Sequence, residues 1–258
     1  MGQENPIDHE PTAKLRASHT PAAIRERLRI GPDHSYLRDF IYGAIDGGVT
    51  TFAVVSGVAG AGLSSGIVVI LGMANLVADG FSMAMSNYLA TRADRERTER
   101  ARRIEEEHID TYPDGEREEI RQIFERKGFS GADLEQIVST VTADRKRWID
   151  TMIQEEYGLT LEERSPLRAA AVTFWAFQFL GALPLAAFIY NFLSPGGIVQ
   201  PYLVSAILTA SSFFVVGAVK ARFVSRKWYA TGIETLLAGG AAATLAYLVG
   251  MALKGLSG

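Results

Sequence analysis

FIYGAIDGGVTTFAVVSGVAGA (residues 40–61) and GIVVILGMANLVADGFSMAMSNYLA (residues 66–90) are the two apolar runs that decide the fold of this chain. Each is long enough to cross the roughly 30 Å hydrocarbon core of a bilayer as a helix. No Asp, Glu, Lys or Arg lies between Asp46 and Asp79. The second run continues, without Gly or Pro, into the charged segment Arg92–Glu107. We therefore expect one helix to leave the lipid and extend into water.

Three more apolar runs follow the charged middle of the chain. The segment from Ala169 to Val219 has no charged residue, and the turn Asn191–Gly197 divides it into two spans. Glu234 lies near the start of the last run. The five predicted spans are Leu37–Ala61, Gly66–Ala90, Leu167–Phe192, Gln200–Val219 and Thr231–Leu253. This pattern predicts an all-α polytopic membrane protein with five transmembrane helices.

The composition of the 258-residue chain excludes several functional classes. A formal net charge of −3 gives no support for a nucleic-acid partner. The absence of cysteine excludes disulfides, thiolate metal sites and cysteine nucleophiles. Residues 1–30 are polar and lack an apolar core, so we expect no signal peptide and assign targeting to the first span.

The chain divides into four predicted regions. Residues 1–19 read as disordered, and Pro21–Ile30 reads as a short basic amphipathic helix. This helix would rest either on anionic headgroups or on the protein's own cytosolic part. The predicted regions are an N-terminal cytoplasmic tail (1–35), spans one and two (36–91), a soluble insertion of about four helices (92–164) and spans three to five (165–258).

Basic residues are concentrated on one side of the predicted spans. The loops at 62–65 and 191–199 carry no Lys or Arg, and Lys254 alone lies on their side. By the positive-inside rule, the N-terminus and the insertion face the cytoplasm and Gly258 faces away. Outside the insertion, the basic residues of the cytoplasmic side are Arg25, Arg27, Arg29, Arg38, Lys220, Arg222, Arg226 and Lys227.

Ionisable residues inside the first two spans are the first functional candidates. Span one carries Asp39 and Asp46, and span two carries Asn75, Asp79 and Met83 at i, i+4 and i+8 on one helix face. A carboxylate, an amide oxygen and a thioether in one stripe suit Fe²⁺ or Mn²⁺. Since a charge inside a membrane is costly, such groups face a partner, a cavity or an ion. The alternatives are hydrogen bonds between helices for the carboxylates and ordinary packing for Met83.

The insertion holds a second group of candidate ligands. Its acidic residues, with one imidazole and one thioether, occur in pairs spaced to share a helix face. Converging from three helices, they would form a divalent-metal site without thiolates. The alternative is a set of solvated helix faces neutralised by neighbouring arginines. The candidate ligands are Glu105 with His108, Glu116 with Glu119, and Met152 with Glu156.

From Tyr36 onward the chain resembles the vacuolar iron transporter family. The order of two spans, a helical insertion and three spans matches that family. The motifs that carry the resemblance are Arg38-Asp39-x-x-x-Gly43-x-x-Asp46-Gly47, Ser82-Met83-x-x-x-x-Tyr88-Leu89-Ala90 and Trp148-Ile149-Asp150-x-Met152-x-x-x-Glu156-x-Gly158-Leu159.

The resemblance implies a homodimer that exchanges cytosolic Fe²⁺ for protons, with a pore at the dimer interface lined by the first two spans. It implies that Asp46 and Met83 are the membrane ligands and that Asp39 lies on the cytosolic approach. It also implies that the six candidates in the insertion collect metal. The chain departs from the plant members at Asn75 and His108, where they have Glu, and at Ile153, where they have Met. These departures bear on metal preference and ligand count.

The sequence therefore predicts a proton-coupled transporter that moves Fe²⁺, with Mn²⁺ as an alternative cargo, out of the cytoplasm. Fe²⁺ or another divalent cation is the transported ligand, and no cofactor is expected. We expect a multi-pass protein of a bacterial inner membrane, surrounded by lipid. The alternative function is a metal sensor that binds metal in the insertion without transport. An enzyme is not expected, because di-iron bundle sites need more than one Glu105/His108 pair.

Overall fold

The computed structural model describes residues 12–30, 36–161, 164–224 and 226–256, all arranged as helices and short connections. The ten α-helices are α1 (Thr12–Ser18), α2 (Pro21–Ile30), α3 (Leu37–Ala61), α4 (Ser65–Thr111), α5 (Pro113–Arg126), α6 (Gly131–Thr142), α7 (Arg145–Glu155), α8 (Pro166–Leu193), α9 (Pro201–Val224) and α10 (Trp228–Leu253).

The described N-terminal residues 12–30 belong to a separate unit. The predicted helix at Pro21–Ile30 is confirmed as α2. The expectation of disorder up to residue 19 is wrong for Thr12–Ser18, which forms α1. Residues 1–11 of the predicted tail lie outside the described residues.

All five predicted spans are confirmed as helices long and apolar enough to cross a membrane. Span one is α3, with the predicted bounds, and spans three to five are α8, α9 and α10. Span two is the first half of α4, which runs without a break for 47 residues. At 1.5 Å per residue this helix is about 70 Å long, so its second half extends well beyond the hydrocarbon.

Helix α8 lies at the centre of the membrane part and packs against α3, α4 and α9. Gly43 and Gly47 of α3 lie against the backbone of Thr173 and Phe177 of α8. A side chain at either glycine would meet a carbonyl oxygen, so the two helices approach as closely as their backbones allow. This contact fixes α3, which carries Asp39 and Asp46, against the rest of the protein.

The second half of α4 forms a small helical body with α5, α6 and α7. Ile120, Val138, Trp148 and Ile153 are among the buried residues of its apolar core. Arg102 of α4 pairs with Asp150 of α7 at 2.7 Å, which joins the long helix to the last helix of the insertion. In the described residues of the predicted insertion (92–164), the expected helices are present as the second half of α4 and as α5, α6 and α7.

Candidate metal sites

A break between α4 and α5 brings acidic residues together in the insertion. Pro113 occupies the first position of α5, where its missing N–H leaves no helical hydrogen bond unmade. The chain folds back there, so that Glu116 meets Glu105 and His108 of α4. One ligand atom from each of these three residues lies within 4.8 Å of the others. His108 Nδ1 is 3.3 Å from Glu116 Oε1.

The two carboxylates of this cluster are buried and incompletely paired. Glu105 is 1% exposed and Glu116 is 5% exposed. Glu105 Oε1 accepts a hydrogen bond of 2.9 Å from the hydroxyl of Tyr157. Within the described part of the chain, the Oε2 atoms of both glutamates have no hydrogen-bond partner. Buried carboxylate oxygens without a partner are unfavourable, and a bound divalent cation would satisfy both.

Burial and neighbouring negative charges raise the pKa values of two carboxyl groups at this cluster. Burial and the nearby charges of Glu105 and Glu119 raise the pKa of Glu116 to about 7, with His108 acting in the opposite direction. Burial and the same two charges also raise the pKa of Glu156. Glu119 and Glu156 therefore belong to the same electrostatic environment. A cation with charge +2 would lower both pKa values and take the place of the protons.

The six predicted ligands of the insertion do not all lie together in the structure. The fold brings three of them into direct proximity, namely Glu105, His108 and Glu116. Glu119 and Glu156 interact with members of this group through their charges. Met152 is fully buried in the apolar core of the insertion. The sequence analysis did not predict Tyr157 as part of this site. The one feature of the sequence that points to it is its position directly after the predicted ligand Glu156.

In the membrane part, a polar chain runs from α3 to α4. Thr51 Oγ1 donates to Asn75 Oδ1 at 3.2 Å, and Asn75 Nδ2 donates to Asp79 Oδ2. Asp79 lies on the exposed surface of α4, whereas Asp46 is half-buried, and the two carboxylates are within electrostatic range of one another. Thr51, five residues after Asp46 on α3, is a member of this polar chain that the sequence analysis did not single out.

A cavity of about 390 Å³ opens beside α3, α4 and the start of α8. We call it the entrance cavity. Met83 lines it and also packs against the apolar cluster between α3, α4 and α8. Asp39 lines it too, is 5% exposed and forms an ion pair with Arg164. Asn87 Nδ2 donates to the other carboxylate oxygen of Asp39 at 3.0 Å. Neither Arg164 nor Asn87 was singled out from the sequence.

Comparison with known proteins agrees with this architecture. A family model described as the VIT family matches residues 37–251. The chain is 33% identical over 255 residues to a vacuolar iron transporter from Toxoplasma gondii, covering 93% of this chain and 83% of that protein. It is 32% identical to a vacuolar iron transporter from Plasmodium berghei, covering 88% of this chain and 85% of the relative. It is 30% identical to vacuolar iron transporter 2 from Oryza sativa subsp. japonica, covering 82% of this chain and 85% of that protein.

Proposed function

The chain belongs to the VIT family, and we propose that it carries Fe²⁺ out of the cytoplasm in exchange for protons. It is a multi-pass membrane protein and a metal transporter. Its relatives named as transporters favour a carrier over an enzyme. The choice of ion, the direction and the proton coupling are the proposal.

The observation that carries the proposal is the pair of carboxylates within the first two spans. Asp46 and Asp79 are within electrostatic range of one another, and in the described residues no basic side chain forms an ion pair with either. Two such groups are costly in a membrane unless a cation or a proton compensates them. A transported divalent cation supplies this compensation, and Met83 adds a soft ligand on the stripe of Asn75 and Asp79.

The cluster in the insertion is proposed to collect the ion before it enters the membrane path. Glu105, His108 and Glu116 offer oxygen and nitrogen ligands to one position. Oxygen and imidazole ligands without thiolates suit Fe²⁺ and Mn²⁺ and allow release. Glu119, Glu156 and Met152 are proposed as further ligands, and recruiting Met152 requires α7 to shift, since its side chain is now part of the core.

Two copies of the chain are proposed to form the path. Asp79 is exposed on α4, and its neighbours on the same side of the helix, one turn away, are Asn75, Ser82 and Met83. A carboxylate directed at lipid is unfavourable, so a second copy covering this face would remove the conflict. The path would then run between the copies and be lined by α3 and α4 of each.

Direction and coupling follow from charge. The positive-inside rule places the insertion in the cytoplasm, which makes it the side from which metal is collected. Asp46 binds a cation when it is ionised, and a proton arriving from the far side would release the cation there. Each metal ion leaving would thus be exchanged for protons.

Transport into liposomes tests the proposal. With purified protein in vesicles loaded at low internal pH, we expect Fe²⁺ uptake that slows when the pH gradient is removed. Uptake that ignores the gradient would refute the exchange with protons. Wild-type protein that binds Fe²⁺ but transports none would favour a metal sensor instead, because the insertion cluster is complete without the membrane ligands.

A further inference from the structure

Two cavities adjoin where the insertion meets the membrane part. The entrance cavity reaches Met83, and a second cavity of about 120 Å³ lies along the charged half of α4. Thr91, Asp94 and Arg164 line both cavities. Together they form a polar route from the side of the insertion to Met83.

Arg164 lines both cavities and contacts two side chains at the start of the membrane part, Asp39 and Tyr36. Its guanidinium pairs with Asp39 of α3 and lies 5.6 Å from the centre of the Tyr36 ring. The hydroxyl of Tyr36 accepts a hydrogen bond of 3.2 Å from the N–H of Ser165, the residue that precedes α8. The ion pair therefore ties the start of α3 to the start of α8.

Both carboxylate oxygens of Asp39 are engaged by other side chains in this arrangement. Arg164 engages Oδ2, and Asn87 engages Oδ1. Asn87 also donates to Thr173 Oγ1 of α8 at 2.7 Å, which fixes its amide. A cation in the entrance cavity would thus meet a neutralised carboxylate and a fixed positive charge beside it.

We propose that the ion pair of Asp39 and Arg164 is a gate on the metal path. This inference rests on the proposed function, because it presumes that a divalent cation passes through the entrance cavity. The arriving cation displaces Arg164 from Asp39, since both compete for the same carboxylate. Asp39 acts here as the partner that neutralises Arg164, and its carboxylate is not required for transport once Arg164 is absent.

This role differs from that of a permanent ligand in a way that can be measured. Asp39→Asn leaves Arg164 uncompensated in the path, where its charge repels the cation. We expect a loss of Fe²⁺ uptake of about tenfold or more, and Asp39→Asn combined with Arg164→Gln should recover most of it. If Asp39 is needed as a ligand in its own right, the double variant stays as inactive as Asp39→Asn.

The experiment compares Fe²⁺ uptake into liposomes by the wild type, both single variants and the double variant. Arg92→Gln is the matched control, because Arg92 pairs with Glu96 at 2.7 Å on the exposed surface of α4 and lines neither of the two cavities. It should transport like the wild type. Inactive wild-type protein would refute the proposed function, whereas an active wild type with an inactive double variant would overturn the gate alone.

A second pair of variants guards against misfolding. If the double variant is not recovered as folded protein, a second double variant replaces it. Asp39→Arg combined with Arg164→Asp exchanges the two charges and so keeps an ion pair between positions 39 and 164. The gate predicts that this exchange transports better than Asp39→Arg alone. Equal activity of the two would overturn it.

Discussion

Glu116 shows in a single residue how burial changes the proton affinity of a carboxylate. The side chain is buried beside Glu105, and its pKa is raised to about 7. In the metal-free protein, Glu116 therefore exchanges its proton near neutral pH. A carboxylate on a solvated helix face would stay ionised there and would bind metal with little dependence on pH.

Metal binding should strengthen as the pH rises through 7. The cation competes with the proton on Glu116, so the apparent affinity should increase about tenfold between pH 6 and pH 8. Calorimetric titration of the full-length protein with Mn²⁺ measures this change. An affinity that does not change over this range would contradict the role of Glu116 as a ligand.

The stability of the metal-free protein should change in the opposite direction. The pKa of Glu116 is higher in the folded than in the unfolded protein, so its contribution is fully present below its ordinary pKa of 4.5. This contribution is lost as the pH rises towards 7. Thermal unfolding of the metal-free protein should therefore shift to lower temperature from pH 5 to pH 7.5, and added Mn²⁺ should restore more of the loss at pH 7.5. Glu116→Gln should reduce both effects.

Asp46 is the residue on which the proposed membrane path depends most. Asp46→Asn keeps the shape but removes the charge, and Fe²⁺ uptake should fall by at least about tenfold while the insertion still binds metal. Liposome transport and metal titration of the same preparation measure the two properties. Glu234→Gln is the control, since Glu234 is exposed and pairs with Arg226 at 3.2 Å, away from the path. Full transport by Asp46→Asn would remove Asp46 from the mechanism.

At the scale of elements, the contact between α3 and α8 places the acidic residues. Gly47 follows Asp46, and a Cβ added there would lie 2.8 Å from the Cα of Phe177. This atom belongs to the backbone of a helix, so it cannot move away by a change of side-chain rotamer. The position of Asp46 thus depends on a neighbour without a side chain.

Gly47→Ala should destabilise the protein by about 1–3 kcal/mol, because the two helices must separate. The temperature of unfolding in detergent should fall, and transport should fall with it. Gly240→Ala is the matched control, because Gly240 lies in α10 with no atom within 4 Å of the added Cβ. Alanine there should be neutral or slightly stabilising, since it favours helix more than glycine. Equal unfolding temperatures for both variants would show that the close approach is not required.

At the scale of the whole molecule, a single copy leaves Asp79 exposed at the depth of the apolar spans. The proposed dimer can be tested cleanly because the natural chain has no cysteine. Ser82 is exposed and lies three residues after Asp79, on nearly the same face of α4. Leu237 is 67% exposed on α10 and offers a comparison on a different helix.

Ser82→Cys should form crosslinked dimers with a short bifunctional thiol reagent in native membranes. Leu237→Cys should crosslink far less, since its helix is not part of the proposed interface. Gel electrophoresis without reductant measures the dimeric fraction. Equal crosslinking at both positions, or none at Ser82→Cys, would contradict a path between two copies lined by α3 and α4.

The sequence by itself determined the helices and the candidate acidic residues. In lipid a spanning segment must satisfy its backbone hydrogen bonds internally, so long uncharged apolar runs can form little else than helices. The predicted span Leu37–Ala61 therefore agrees with α3 at both ends. The spacing of Asn75, Asp79 and Met83 likewise follows from the period of the helix.

Only the tertiary structure decided which of these side chains meet and which have partners. Arg164 lies 125 positions from Asp39, and their pairing depends on α8 packing against α3. Glu116 meets Glu105 because the chain folds back at Pro113, and Met152 turns into the core because α7 needs an apolar face. The periodicity of the sequence predicts which residues share a helix face, but it does not predict the distance between two helices. That distance is set by packing, where the absence of a side chain at Gly43 and Gly47 decides how closely the acidic residues approach.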